Sequence, residues 1–155
     1  MKIRPAIAGD REALAEMFFA LRQDQTLDEH AHEIDTIFAG TFASTLPYAL
    51  FVAETDGDVT NEVIGFAEVG MRSHAEGCDS ARPAGFVEGW FVKAAHRKKS
   101  VGALLMRVAE EWARAQGCTE MGSDTWHDND LSIAAHQALG FEIADRLVAF
   151  RKSLI

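Results

Sequence analysis

The sequence predicts a mixed α/β layer fold, and three observations carry that reading. Strand-like and helix-like segments alternate along the chain, with no repeat, low-complexity stretch or linker between them. A nearly all-apolar run, Gly85-Phe86-Val87-Glu88-Gly89-Trp90-Phe91-Val92, has the composition of a strand buried on both faces. A basic turn, His96-Arg97-Lys98-Lys99-Ser100-Val101-Gly102, joins that run to a long amphipathic helix. In that helix Val101, Leu104, Leu105, Val108, Ala109 and Trp112 recur at the spacing of a single buried face.

The elements follow in order. Lys2 to Ile7 reads as a first strand, and Asp10 is placed to cap the helix that carries Ala13, Leu14, Met17, Phe18 and Leu21. Gln23 to Leu27 is a polar break. A second helix is expected from Asp28 to about Phe42, with Ile34, Ile37, Phe38 and Phe42 inward. Tyr48–Glu54 and Val63–Met71 form a hairpin around the turn chemistry of Thr55-Asp56-Gly57-Asp58. Arg72 to Ala84 is a loop, and Phe86 to Val92 is the buried strand. The long helix runs to Gln116, with Ser100 as its cap and Gly117 as its end. Cys118–Ser123 is a short strand, Leu131–Leu139 a helix closed by Gly140, and Phe141–Phe150 one or two closing strands.

At 155 residues the chain is long enough for one domain with a proper core. No apolar run approaches the ~20 residues of a membrane span. The charged start, Met1-Lys2-Ile3-Arg4-Pro5, does not read as a signal peptide. Cys78 and Cys118 have no metal-type spacing and read as free thiols of a reducing compartment, which points to the cytoplasm. With 24 acidic and 15 basic residues the formal charge is −9, which argues against nucleic-acid binding. An acidic cleft concentrates cationic small molecules, although a negative surface also simply maintains solubility.

The basic turn opens a helix N-terminus, where unpaired amides and the positive end of the dipole favour an anion. Arg97, Lys98 and Lys99 add charge suited to phosphate. Together they imply a phosphorylated ligand. The absence of a G-x-x-x-x-G-K-S/T loop argues against a generic nucleotide-binding domain.

Several acids and one histidine are candidates for chemistry, each with two readings. Glu88 sits within the apolar strand, where an unpaired carboxylate is costly. It either pairs with Arg72 or Arg97 or works as an acid–base group at a cleft. Asp124 follows a strand at the edge where clefts open, and either caps the next turn or positions a ligand. Asp145 and Glu142 follow, either functional or part of a solvated face. His136, four residues before Gly140, is either a satisfied helix histidine or a proton donor near neutral pH. No histidine or cysteine grouping has metal-ligand spacing.

From the loop Arg97-Lys98-Lys99-Ser100-Val101-Gly102, the flanking strand and helix, and Leu139-Gly140-Phe141, the chain resembles the GNAT superfamily of N-acetyltransferases over essentially its whole length. The loop of that family has the form Arg/Gln-x-x-Gly-x-Gly/Ala, and Ser100 stands here where glycine is usual. The resemblance implies one acyl-CoA N-acyltransferase domain over 1–155, with a mixed, mostly antiparallel central sheet flanked by about four helices.

A narrower resemblance, to the aminoglycoside 6'-N-acetyltransferases, rests on Phe86–Val92, Gly117–Thr125, His136–Glu142 and Glu76-Gly77-Cys78-Asp79-Ser80. It implies acetyl-CoA along Trp90, Phe91 and Val92 and across Lys98 to Ala103, with Asn129 facing it. Arg97 begins the loop, and Lys99, Ser100, Val101 and Gly102 lie within it. Substrate ammonium groups would meet Glu88, Asp124 and Asp145, and His74 stands where the family has a tyrosine. Arg22-Gln23-Asp24-Gln25 replaces a tryptophan and its polar neighbours after the first helix.

A tyrosine that protonates the leaving thiolate in many GNAT enzymes has His136 in its place. A bulge at Gly89 would aim a backbone amide at the thioester oxygen. The implied activity is direct acetyl transfer to a primary amine, an aminoglycoside 6'-amine first and a polyamine or peptide otherwise, without metal. A homodimer joined through C-terminal strands, with Leu147-Val148-Ala149-Phe150 supplying one, is implied too. A non-catalytic acyl-CoA sensor is the reading from a different class.

Overall fold

The computed structural model describes residues 1–42, 46–57 and 61–155. Five strands form one sheet in the order β1-β2-β3-β4-β5: β1 (Lys2–Pro5), β2 (Tyr48–Glu54), β3 (Val63–Arg72), β4 (Ala84–Val92) and β5 (Met121–Ser123). The first three pairings are antiparallel and β4–β5 is parallel. A parallel neighbour needs a long crossover, and α3 (Val101–Ala115) supplies it. The other helices are α1 (Arg11–Leu21), α2 (Leu27–Phe38) and α4 (Asp130–Ala138), with 3₁₀ turns at Ala8–Asp10 and Ala94–His96. The expected mixed sheet with four helices is therefore present.

Sheet alternation divides the core into two layers. Leu50, Val52 and Phe66 face α1 and α2, where they pack on Leu14, Phe18 and Ile34. Phe51, Ala53, Ala67 and Val69 face α3, where they pack on Val101, Leu105 and Ala109. Each large apolar side chain buried this way contributes roughly 1.5–3 kcal/mol. Arg4 of β1 donates to Asp10 at 2.7 and 2.8 Å and to Glu54 at 3.0 Å, which ties the edge strand to the turn before α1.

Four expectations need correction. Asp10 stands at the N-cap of α1 but does not cap it, because its carboxylate is taken by Arg4 and the Ile7 amide. Ser100 stands at the N-cap of α3, but its side chain accepts no helix amide, since its backbone is left-handed. Helix α2 ends at Phe38 rather than Phe42, and starts with a capping box between Thr26 and Glu29. No strand forms over Phe141–Phe150: a strand needs a partner ladder, and in the single chain these residues are exposed beyond Phe141. Asp58 of the expected hairpin turn lies outside the described residues. Gly117 and Gly140 do end their helices, with φ of +86° and +90°. Among the described residues, no helix is long and apolar enough to cross a membrane.

Phe66 is fully buried, 4.7 Å from the Phe18 ring and stacked on Phe91. Phe66→Ala should lower unfolding free energy by about 3–5 kcal/mol in denaturant titrations.

Candidate active site

Strand β4 keeps β3 beside it for its whole length but meets β5 only over Gly85, Phe86 and Val87. From Glu88 to Val92 its other edge has no strand partner among the described residues, so the sheet opens there. Within β4 the register jumps: Glu68 faces Gly89 and Val69 faces Val87, leaving Glu88 as an extra, unpaired residue. The bulge expected at Gly89 is present, one residue earlier in its count. It puts Glu88 and Gly89 toward one face: a Cβ on Gly89 would lie 2.7 Å from Glu68 Oε2, and one on Gly70 3.6 Å from Glu88 Oε1.

The basic turn from Arg97 to Gly102 closes one end of this opening. Lys98 and Ser100 have φ of +60° and +62°, an alternation of left-handed residues that turns successive N–H groups inward. The first helical bond of α3 runs from Leu104 N–H to Ser100 C=O, so the amides of Val101, Gly102 and Ala103 precede the helical ladder. Gly102 is needed: a Cβ there would lie 2.7 Å from Trp90 Cζ2. Lys98 and Lys99 are exposed. Arg97 instead folds back, donating to Val92 C=O at 2.9 Å with its guanidinium 5.5 Å from the Phe91 ring. It buttresses the end of β4.

Across the opening lies α4. Asn129 Oδ1 caps it by accepting from Ser132 N–H at 3.1 Å, which leaves its NH₂ group to donate. His136 packs edge-on against Trp90 and Phe141, at 5.4 and 5.3 Å. Its Nδ1 is 2.8 Å from the Ser132 carbonyl, which fixes the proton there, so Nε2 accepts from Ser123 O–H at 2.9 Å. The Trp90 indole N–H is buried without a partner.

Glu88 carries the structural pairing: Arg72 donates to it twice, at 2.9 and 2.5 Å, and lies 3.5 Å over the Phe86 ring. Arg97 is not its partner. Asp124 is exposed just past β5 and within electrostatic reach of Arg72. Thus Glu88, Arg72 and Asp124 gather on one rim, with Trp90, His136 and the turn on the other side of β4. His74 is exposed, 3.6 Å from Glu76. Asp145 is exposed on the segment after α4, its carboxylate accepting from the Arg146 amide. Among the described residues, no group of three or more His, Cys, Asp or Glu is placed to hold a metal.

The Acetyltransferase (GNAT) family matches residues 11–141. The chain belongs to the GNAT acetyltransferase family. It is 40% identical over 152 residues to an aminoglycoside N(6')-acetyltransferase type 1 of Klebsiella aerogenes, covering 98% of this chain and 96% of that one. It is 35% identical over 154 residues to a protein of the same name from Stenotrophomonas maltophilia, covering 98% and 93%. The crystal structure of the aminoglycoside antibiotic 6'-N-acetyltransferase AAC(6')-IG from Acinetobacter haemolyticus superposes with a TM-score of 0.86 at 30% identity, covering both chains completely. AAC(6')-Iy in complex with the bisubstrate analogue CoA-S-monomethyl-acetylneamine superposes at 0.84 and 33% identity, covering 98% and 97%.

In this GNAT chain two further residues, Glu68 and Tyr48, flank the cluster that the sequence did not single out for chemistry; Arg22, which stands where the family has a tryptophan, lies beside them. Glu68 is 1% exposed, and it accepts a hydrogen bond from the Tyr48 hydroxyl. Burial pushes its carboxyl up to about 7; Arg22 and the Tyr48 hydroxyl hold it down, while Glu33 and Glu88 add to the rise. Burial and the charge of Glu68 push the Tyr48 phenol above its ordinary range. The signal was available: a lone acid in the apolar run Val63–Val69 is the same anomaly that marked Glu88.

The left-handed backbone at Ser100 explains the glycine usual there, since such a conformation costs a non-glycine residue roughly 1–2 kcal/mol. Ser100→Gly should raise unfolding free energy by about 1 kcal/mol, and Ser100→Val should lower it by a similar amount, in denaturant titrations.

Proposed function

We propose that this chain transfers the acetyl group of acetyl-CoA directly to a primary amine, the 6'-amine of an aminoglycoside. The observation that carries the reading is the opening between β4 and β5, with an anion-binding turn at one end and two acids on its rim. The activity for which the relatives are named and the neighbour's bisubstrate complex support it.

The residues divide the work. The amides of Val101, Gly102 and Ala103, with Lys98 and Lys99, hold the diphosphate, which acetyl-CoA supplies together with the activated acyl group. The free edge of β4 from Trp90 to Val92 aligns the pantetheine arm, and the NH₂ group of Asn129 donates to it. A backbone amide at the bulge polarises the thioester oxygen. Glu88 and Asp124 hold the acceptor ammonium, and Glu88 takes its proton directly or through water. The amine nitrogen then bonds to the acyl carbon as the carbon–sulfur bond breaks. His136 Nε2 takes the proton that the nitrogen sheds on bonding to the acyl carbon and returns it to the thiolate. Positioning and proton transfer of this kind supply roughly 10²–10⁴-fold each when a group is well placed.

A homodimer completes the reading. Leu147, Val148, Phe150 and Leu154 are all at least 66% exposed, and the three-residue strand β5 ends the sheet with a free edge. Strand-forming apolar residues without a ladder suit exchange with a second copy, which also carries Asp145 and His74 toward a shared cleft. Two unpaired thiols, Cys78 and Cys118, suit a cytoplasmic setting.

A thiol-release assay with acetyl-CoA and kanamycin-type aminoglycosides, spermidine or a peptide should show the highest kcat/KM for the aminoglycosides. Turnover of none of these amines would leave the sensor reading in its place. Asp124→Asn should raise the acceptor KM about tenfold while acetyl-CoA KM stays within about twofold. His136→Ala should lower kcat by roughly 10²-fold or more with unchanged melting. In light scattering the protein should weigh twice the 17.0 kDa chain, and Leu147→Asp/Phe150→Asp should yield the monomer.

A further inference from the structure

One charged group beside the acceptor rim has no part in that chemistry. Arg22 follows the last residue of α1, and its Nη2 is 3.5 Å from both Glu33 Oε2 and Glu68 Oε2. Its Nε is buried without a partner, and its guanidinium lies 4.6 Å over the Phe18 ring. An arginine seated on a carboxylate makes two short parallel bonds. Arg72 does so with Glu88, Arg4 with Asp10 and Arg11 with Asp35. Arg22 makes none. Beyond one long bond from Nη2 to Glu68 Oε2 at 3.5 Å, charge and the ring face hold it there.

Its position places it against the acceptor. Glu68 Oε2 fills the space a side chain on Gly89 would take, next to Glu88, and Leu21 Cδ2 is 3.5 Å from the same point. An ammonium held at Glu88 therefore has the Arg22–Glu68 pair as its neighbour. We infer that Arg22 is an acceptor-specificity residue: it supplies from the chain itself the positive charge that Glu33 and Glu68 demand, and so closes that side of the cleft to a second ammonium group of the acceptor. The inference rests on the acyl-transfer reading above.

The groups facing Glu68 come from every element packed on it. Tyr48 comes from β2, Arg22 from the end of α1, Glu33 from α2 with His30 beside it, and Glu88 from β4. Arg22 is the one permanent cation in that set. Without it, Glu33 and Glu68 lose that counter-charge, and Glu68 keeps its proton to still higher pH. A cationic group then binds by displacing that proton, so its affinity increases with pH.

The test compares Arg22→Gln, Arg22→Lys and the double variant Arg22→Gln/Glu68→Gln, each first checked for an unchanged melting transition. With acetyl-CoA saturating, KM is measured for a simple monoamine, spermidine and a kanamycin-type aminoglycoside. Arg22→Gln should lower the KM of the two polycations by about tenfold and leave the monoamine and acetyl-CoA within about twofold. The gain should be larger at about pH 8 than at about pH 6.5. Arg22→Lys should behave as the parent, and the double variant should lose the gain. An equal shift for monoamine and polycations, no shift, or a gain that survives Glu68→Gln would overturn the inference. Calorimetric titration with spermidine in the absence of acetyl-CoA reads the same charge dependence without turnover. If the parent acetylates no amine, the acyl-transfer reading fails while the titration still decides the role of Arg22.

Discussion

A single strand is asked to keep one neighbour and abandon another. Strand β4 bonds β3 from Ala84 to Val92 but leaves β5 after Val87, and the register absorbs the change through one extra residue, Glu88. In an unbulged strand, strict alternation would turn Glu88 and Gly89 to opposite faces. With it, both turn toward the α1–α2 layer. The exposed β4 edge, the acid on the rim and the turn at the start of α3 all follow from where β4 parts from β5.

The two acids of that region are handled differently. Glu88, about a quarter exposed in its side chain, is neutralised by a bidentate arginine. Glu68, almost wholly buried, has a hydroxyl and a loosely placed guanidinium. Desolvation outweighs attraction at Glu68, so its folded carboxyl holds a proton to about 7, against an ordinary 4.5. The folded state then binds more protons than the unfolded one between those values. This residue's contribution to stability therefore declines as pH rises through that window.

Most of the layer plan was legible because it rests on periodicity. The stripe of α3, the alternation of β2 and β3 and the glycines ending α3 and α4 are local patterns, and each appears where the residues place it. The turn from Arg97 to Gly102 was legible as a basic strand-to-helix connection, although the backbone at Ser100 and the seat of Arg97 Nε were not. Arg97 serves the end of β4, and Ser100 holds a left-handed backbone instead of capping. Those depend on φ angles and on a partner carbonyl that spacing does not encode. The ladder for Phe141–Phe150 was misjudged because strand propensity says nothing about whether a neighbour exists. Glu68, Tyr48 and Arg22 come from three separate elements, and only tertiary folding joins them.

Glu68 occupies the place of a missing side chain: a methyl at residue 89 would collide with its carboxylate. Positions 68 and 89, far apart in the chain and opposite in the sheet, are therefore bound to drift together. Alanine at 89 asks that carboxylate to swing aside, and the Phe66 ring, 3.1 Å from the same point, to give with it.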